Sequence, residues 1–509
     1  PLWTVEVNSG NDVSGSGANE SKFASIQAAI NFASDGDSVS VLPGTYVENI
    51  DFRGRNIKVA GSQSNTGSNP VIDGNQNGSC VQFTSGETND AVLSNFTITN
   101  GTGTNYGYTI GGGIFSINSS PTLKNLFVTG NSAVEGGGIG IHNGGGSPVL
   151  DNVIISGNQG GEVGGLTLKS ASSTVRNSKI ISNTAESSQA GGISTDGVLH
   201  NLFNVLIADN VLTDNNINSN AVGGIQMSNS GTVNLVNVTI TKNDDGVDGE
   251  GNGGILLRNG VQVNMFNSIL WANNGEEISI QAGSDEIEKI HVYHSNIQGG
   301  FEDSEQIDLV WGTGNIDSDP VFVDPINSNY HLSDLSPCIS AGLTSITTDE
   351  GMTLTVLNED LEGGLRPNPI GSAPDMGAFE SDKGVDPDFS GPNWFVNGPA
   401  SLPYGNGGPG APFSTINQAI DIANNGDTIR VLTGTYVENL NLNGKGIAII
   451  GENYETTIID GDSSGIVLTL NNSSSSSLVE NITIQNGSGG IGTSNGAGIY
   501  CDGCVSTLR

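Results

Sequence analysis

A seven-residue frame recurs along this chain and limits its possible folds more than any other feature. The frame starts and ends with Asn and carries aliphatic residues between them, as in NLFVTGN (125–131) and NVIISGN (152–158). The residues two places before and three places after the first Asn are apolar in every copy. The first Asn returns every 25 to 33 residues, at Asn95, Asn125, Asn152, Asn177, Asn204, Asn237 and Asn267.

Each repeat contains a second landmark, a Gly-Gly pair and an apolar residue after a variable loop. The apolar residues are Ile114, Ile139, Leu166, Ile193, Ile225 and Ile255. Each repeat therefore consists of three short runs with a period of two, separated by turns. We predict an all-β fold in which three strands form a coil and the coils stack as a parallel β-helix solenoid. Equivalent Asn side chains then lie above one another and bond to each other where two strands meet.

The ends of the solenoid are also visible in the sequence. Residues 22–34 place apolar side chains on one helical face, which predicts a helix that caps the first coil. The stretch 22–49, which contains this helix and ends in GTYVEN, returns in similar form at 412–439, which also ends in GTYVEN. We therefore predict a tandem duplication with a second capping helix at 413–424. The expected parts are a β-helix at 1–300, its closing segment at 301–381, a linker at 382–393 and the start of a second, incomplete β-helix at 394–509.

Composition narrows the class of partner. The 509 residues include 16 Lys and Arg against 53 Asp and Glu, which gives a net charge of −37. Nucleic acids and anionic membranes both require basic patches, so neither is expected as a partner. No apolar stretch reaches about 18 residues, so no membrane span is expected in this segment. The acidic composition suits an extracellular or cell-surface protein, and Cys501 with Cys504 predicts a local disulfide or two free thiols.

The helix followed by GDSVSVLPGTYVEN (36–49), the Asn ladder and the GGGI turns resemble the right-handed parallel β-helix proteins of the pectate-lyase-like superfamily. Residues 317–380 are similar to the closing segment of large secreted bacterial surface proteins that contain such repeats. The resemblance covers nearly the whole chain and implies a right-handed solenoid. It implies no single function, because the superfamily includes polysaccharide lyases, hydrolases, esterases and non-enzymatic adhesins.

An outward column of side chains is predicted three places after each Gly-Gly aliphatic residue. Its members are Ile117, His142, Lys169, Asp196, Ser228 and Arg258. Rungs of a β-helix are about 4.8 Å apart, so Lys169 and Arg258 would be about 14 Å apart, too far to act on one sugar. A lyase needs a base and a cation, and a hydrolase needs two carboxylates about 5–9 Å apart. We assign no catalytic residue and expect either a solvated polar face or a sugar-binding strip that includes His142, Lys169, Asp196 and Arg258.

A second candidate site is the acidic loop NDDGVDGEGNGG (243–254). Asp244, Asp245, Asp248 and Glu250 supply four carboxylates, and Ca²⁺ takes about six to eight oxygen ligands. The loop matches neither the EF-hand nor the nonapeptide Ca²⁺ repeat. The sequence leaves open whether the loop binds Ca²⁺ or is an unoccupied acidic loop.

Two functions of different classes remain. Tandem duplication favours a secreted or cell-surface rod, a non-enzymatic adhesin or stalk that meets extracellular glycans or neighbouring cell-surface molecules, because avidity grows with repetition. The alternative is a polysaccharide lyase that acts on an acidic glycan. The net charge opposes that alternative unless Ca²⁺ bridges protein and substrate. We expect the first function, that of a protein without enzymatic activity.

Overall fold

The computed structural model consists of short parallel strands that stack in coils. It describes residues 1–18, 21–64, 67–142, 146–170, 172–187, 189–213, 221–246, 251–281, 287–301, 307–348, 351–383, 391–398, 405–409, 411–471, 477–489 and 496–509.

Three parallel sheets run along the first unit, and we name them the broad, groove and short sheets. The broad sheet contains Leu2–Val5, Ser38–Val41, Thr45–Val47, Lys58–Gly61, Val71–Asp73, Val92–Thr99, Thr122–Thr129, Val149–Ser156, Ser173–Ile181, Leu199–Ala208, Thr232–Thr241, Gln262–Phe266, Ile269–Trp271, Glu288–Tyr293, Asn296–Ile297 and Ile307–Trp311. The groove sheet contains Ile50–Asp51, Val81–Phe83, Ile114–Ile117, Ile139–His142, Leu166–Lys169, Ile193–Asp196, Ile225–Ser228, Asn252–Arg258 and Glu276–Gln281. The short sheet contains Ser132–Ala133, Gln159–Gly160, Thr184–Ala185 and Val211–Leu212.

Successive coils pair in register, so equivalent residues form straight columns. Ile139 pairs with Leu166, and Leu166 pairs with Ile193. These aliphatic side chains point inward and are fully buried in one continuous core. The predicted parallel β-helix solenoid is confirmed.

Helix Ile26–Phe32 covers the first coil, as expected, but is shorter than the predicted 22–34. It starts at Ile26 because the Ser25 side chain caps it, accepting from the Ala28 amide, and it ends at Ala33, which is extended. Glu48 also accepts hydrogen bonds from the amides of Ile26 and Gln27, at 2.8 and 3.0 Å. The Glu of GTYVEN therefore fastens the helix N-terminus to the coil beneath it.

The first Asn of each frame adopts the left-handed conformation within or between strands of the broad sheet, with φ from 50° to 61°. Asn is among the few residues that tolerate this conformation. The seven occupy equivalent positions in consecutive coils, but their side-chain ladder is interrupted. Asn125 donates to Asn95 and Asn152 donates to Asn125, each at 3.0 Å, whereas Asn177 turns to Asp151. The ladder resumes between Asn204 and Asn177.

The last Asn of each frame forms the continuous ladder. The members are Asn131, Asn158, Asn183, Asn210, Asn243 and Asn273, all between 0 and 7% exposed. Each side-chain amide donates to the side-chain oxygen of the next member at 2.9–3.0 Å. Each also donates to the carbonyl of an inward aliphatic residue in the preceding coil, as Asn183 does to Ile155. The series ends on the carboxylate of Glu277, which accepts from the Asn273 amide groups.

The closing segment folds back along the outside of the broad sheet. The coils extend past residue 300, because Ile307–Trp311 still pairs with Glu288–Tyr293. The segment then forms strands Phe322–Asp324, Asn329–Leu332, Ser345–Thr347 and Thr353–Thr355, and the 3₁₀ helix Pro325–Asn327. It covers outward apolar residues of the later coils: Leu206 and Ala208 pack with Tyr330 and Phe379, Val236 and Phe266 pack with Leu354 and Val356, and Ile269 packs with Cys338 and Met376.

The second unit repeats the start of the first in atomic detail. Helix Ile416–Ile422 is capped by Thr415 and Gln418, and Glu438 accepts from its first two amides as Glu48 does. Its strands are Asn393–Val396, Thr428–Val431, Gly434–Val437, Leu440–Asn441, Ala448–Gly451, Thr457–Asp460, Leu468–Asn471, Ser477–Glu480, Thr483–Gln485, Ile499–Asp502 and Ser506–Leu508. Cys501 and Cys504 form a disulfide. In the described residues, helices of the length and apolarity that a membrane crossing requires do not occur.

Candidate functional site

The predicted outward column exists as a column on the groove sheet. Register pairs join Ile117, His142, Lys169, Asp196, Ser228 and Arg258 in that order. Its first two members are buried, because Ile117 is 6% exposed and His142 7%. From Lys169 onward the side chains are partly exposed. Three of the four residues predicted to bind a ligand therefore face solvent, and His142 does not.

An ion cluster around Glu135 explains the position of His142. The His142 Nε2 atom lies 3.1 Å from Glu135 Oε2, and Lys169 Nζ contacts Glu135 Oε1. Tyr108 donates its hydroxyl to the same Oε1 atom at 3.0 Å. Burial alone would raise the pKa of Glu135, but the hydrogen bonds from His142 and Lys169 outweigh it and lower that pKa to about 2. Glu135 is therefore an anion at any physiological pH.

Glu162 occupies the equivalent loop position one coil further along. Burial, and then the negative charge of Glu135, raise the pKa of Glu162. Glu162 accepts a hydrogen bond from Gln189. The environments of Glu135 and Glu162 push the pKa values of the two carboxylates apart, which is the pattern of an acid–base site.

Glu162 and Lys169 line a polar groove with a cavity volume of about 420 Å³. Lys169, Asp196, Ser228 and Arg258 line its floor, and Glu162 lies at its side. Asp196 accepts from the Asn229 side chain at 2.8 Å. Burial lowers the pKa of Arg258, and among the described residues no carboxylate lies within ion-pair distance of its guanidinium. Among the described residues, the groove thus contains the unpaired cation Arg258, the paired cation Lys169 and several groups that can bind hydroxyls.

Glu135, Glu162 and Tyr108 were not among the site residues predicted from the sequence. A signal for two of them was present, because the residue four places before each Gly-Gly aliphatic is Glu135, Glu162 and then Gln189 in consecutive repeats. These three residues lie in the loops before the strands of the groove sheet, so an alignment of the strands alone does not include them. Tyr108 lies in a loop whose length and sequence vary from coil to coil, so periodicity carries no information about it.

The predicted Ca²⁺ loop is only partly described. Asp244 accepts hydrogen bonds from the Gly246 amide at 2.8 Å and the Asn274 side chain at 2.9 Å. Asp245 is 7% exposed and accepts from the Asn252 amide at 2.6 Å. Asp248 and Glu250 lie outside the described residues. In the described part of the chain, no group of three or more His, Cys, Asp or Glu residues is arranged to hold a metal ion. Calcium binding stays a prediction.

Comparison with known proteins finds matches among solved structures. No family model and no curated protein matches the sequence. Among solved structures, pectate lyase Pel9A matches with 17% identity and a TM-score of 0.41, over 74% of this chain and 96% of that one. The GH136 lacto-N-biosidase from Eubacterium ramulus matches with 12% identity and a TM-score of 0.25, over 57% and 68%. The PL6 family alginate lyase AlyGC matches with 11% identity and a TM-score of 0.17, over 89% and 69%.

These matches correct one expectation from the sequence. The prediction of a protein without enzymatic activity is wrong, since the solved structures that the chain resembles are named as lyases and a lacto-N-biosidase. Tandem duplication does not by itself exclude enzymatic activity. Likeness at these identities does not transfer an activity to this chain, so an activity has to be argued from the residues of the groove.

Proposed function

We propose that the protein binds an acidic polysaccharide along the groove and cleaves it by β-elimination. The observation that carries the proposal is the contact set at Lys169, where an ammonium group and a carboxylate of raised pKa, Glu162, line one open polar groove. In a chain with a net charge of −37, the cations Lys169 and Arg258 share this groove floor. They provide local attraction for a polyanion that the rest of the surface repels.

The chemistry assigns a role to each group. The proton on C5 of a uronate is acidic because it lies next to the carboxylate. Lys169 uses one N–H on Glu135 and retains two donors for that substrate carboxylate, which neutralises it. Glu162 accepts the C5 proton, since a carboxylate of raised pKa is a stronger base than an ordinary one. The C5–H electron pair forms the C4–C5 double bond, the C4–O bond breaks, and the leaving oxygen takes a proton from water in the open groove.

The remainder of the column binds the substrate beyond the reacting sugar. Arg258 lies three rungs, about 14 Å, from Lys169, so it pairs with the carboxylate of another uronate in the same chain. Asp196 and Ser228 lie between them and can bond to sugar hydroxyls. The spacing that excluded joint chemistry on one sugar therefore suits an extended polymer.

The test is an absorbance assay for the unsaturated product with polygalacturonate and with alginate, run with Ca²⁺ and with chelator. Wild type should form unsaturated product, and Glu162→Gln should lower kcat/KM by about 100-fold or more, as expected for loss of a general base. Lys169→Ala should lower it comparably, and Lys58→Ala, at an exposed lysine on the broad sheet, should not change it. Retention of polyuronate by wild type without any unsaturated product would contradict the elimination step.

A further inference from the structure

The groove is closed at the end where the N-terminal coils begin. The hairpin of strands Thr104–Asn105 and Thr109–Ile110 lies on the outer face of the groove sheet. Ile110 packs there against Phe115 and Ile117. The next rung has Gly140 in place of a side chain, and a Cβ at Gly140 would lie 2.4 Å from Ile110 Cγ2. Only glycine therefore admits the hairpin at this rung, and the first two members of the column are covered.

Two tyrosines lie at the turn of this hairpin, and Tyr108 shares the Glu135 carboxylate with Lys169, the first exposed member of the column. Tyr106 is 57% exposed and Tyr108 is 41% exposed. Both are held in place: the Tyr106 ring lies 6.4 Å from the Phe115 ring, and the Tyr108 hydroxyl bonds to Glu135. The Glu135 oxygen that Tyr108 contacts is also the one that Lys169 contacts. We name Tyr106, Tyr108, Ile110 and Glu135 the tyrosine wall.

We infer that the tyrosine wall makes this groove a receptor for the end of an acidic polysaccharide chain, so that the protein removes short units from that end. The inference rests on the proposed function, because it takes Lys169 as the reacting position. On the wall side of Lys169 the column members His142 and Ile117 are buried, which leaves room for about one terminal sugar. On the other side, Asp196, Ser228 and Arg258 continue the groove for the rest of the chain.

The exposed rings supply the recognition of the terminal sugar. A sugar ring presents an apolar C–H face and a polar rim, and a fixed aromatic ring matches the first while Lys169 and Glu162 match the second. Fixed tyrosines lose little conformational freedom on binding. An aromatic contact contributes about 0.5–1.5 kcal/mol, which corresponds to about a two- to tenfold change in affinity.

The experiment measures stoichiometry and product size with the full chain. Titration of polygalacturonate fractions of increasing length should bind one protein per polysaccharide chain at every length, since each chain has one end of the required kind. The digest should contain one short product from the earliest time point. Binding in proportion to polymer length, or early products of many sizes, would overturn the inference, even if elimination itself is observed.

Variants separate the wall from the chemistry. The double variant Tyr106→Ala/Tyr108→Ala should weaken binding of a short oligogalacturonate about tenfold and raise the stoichiometry on long polymers. Tyr108→Phe keeps the ring and should retain most of the affinity. Tyr454→Ala removes an equally exposed tyrosine, 59% exposed, from the second unit and serves as the control. An unchanged stoichiometry in the double variant contradicts the inference, whereas absence of both binding and product in wild type contradicts the proposed function and the inference together.

Discussion

A buried asparagine is tolerated when the neighbouring coils satisfy every polar atom that it carries. Asn183 is fully buried, and its oxygen accepts from both the backbone amide and the side chain of Asn158. Its own side chain donates to Asn210 and to the Ile155 carbonyl. Removing such a side chain leaves several buried groups without partners, and each costs about 1–3 kcal/mol.

The two Asn positions of one frame should therefore differ in the stability that is lost when each is replaced. Asn183→Ala should reduce the free energy of unfolding by about 3 kcal/mol or more. Asn177→Ala should cost about 1 kcal/mol, chiefly from the left-handed backbone, because Asn177 is only half-buried. Chemical denaturation of both variants checks the order, and a larger loss at Asn177 would contradict the assignment of the buried ladder.

Glu277 gives the end of the ladder a pH dependence. Burial raises its pKa from 4.5 to about 7. The pKa of Glu277 in the folded protein lies above its value in the unfolded chain. The stability that protonated Glu277 contributes is therefore fully present below about pH 4.5 and is lost as the pH rises through about 7. This loss amounts to about 3 kcal/mol of unfolding free energy at most. The difference in unfolding free energy between wild type and Glu277→Gln should therefore shrink or reverse from about pH 5 to about pH 8. A difference that is constant with pH would show that Glu277 does not titrate in this range.

At the scale of elements, the closing segment depends on a buried ion pair. Arg366 and Glu380 have side chains 0% and 1% exposed, with Arg366 Nε 3.3 Å from Glu380 Oε2. Arg366 also donates to the carbonyls of Asp375 and Gly377. Asn237 donates to the same two carbonyls, which joins the pair to the coils beneath.

Arg366→Ala should release this segment, because it leaves Glu380 buried without its cation at a cost of about 3–5 kcal/mol. Hydrogen exchange should then accelerate in residues 351–380 while the groove sheet stays protected. Arg430→Ala, at an exposed arginine of the second unit, is the control. Uniform acceleration across all coils would mean that the segment and the solenoid unfold as one body.

Elements that repeat were predictable from the sequence, and elements that occur once were not. The period-two runs and the Gly-Gly turns indicate strands and coils because each coil repeats the same local pattern. The fold-back of the closing segment follows from outward apolar residues such as Leu206 and Phe266, which looked like ordinary strand residues. The tyrosine wall depends on contacts between one hairpin and a strand of the next coil, such as the contact of Ile110 with Gly140. The repeat pattern of the sequence does not predict such contacts.

At the scale of the molecule, two separate cores are present. The first unit has its own continuous core and the second has another, around Trp394, Ile420 and Ile449. Among the described buried residues, Ala411 is the one member of the second unit that joins a cluster of the first. Calorimetry should therefore resolve two transitions, and Ile449→Ala should lower only one of them. A single transition that shifts as a whole would show that the units are coupled.

The bonds between side chains of the buried Asn ladder run in one direction, since each member donates to the next member toward the C-terminus and Asn273 donates to Glu277. A copied coil inserted anywhere between Asn131 and Asn273 would receive a donor from one side and offer one to the other, so it would join without a mismatch. A copied coil added after Glu277 would meet a side chain whose two oxygens already accept from Asn273. Copied coils can therefore be inserted within the ladder without loss of a side-chain bond, but not added after its C-terminal end.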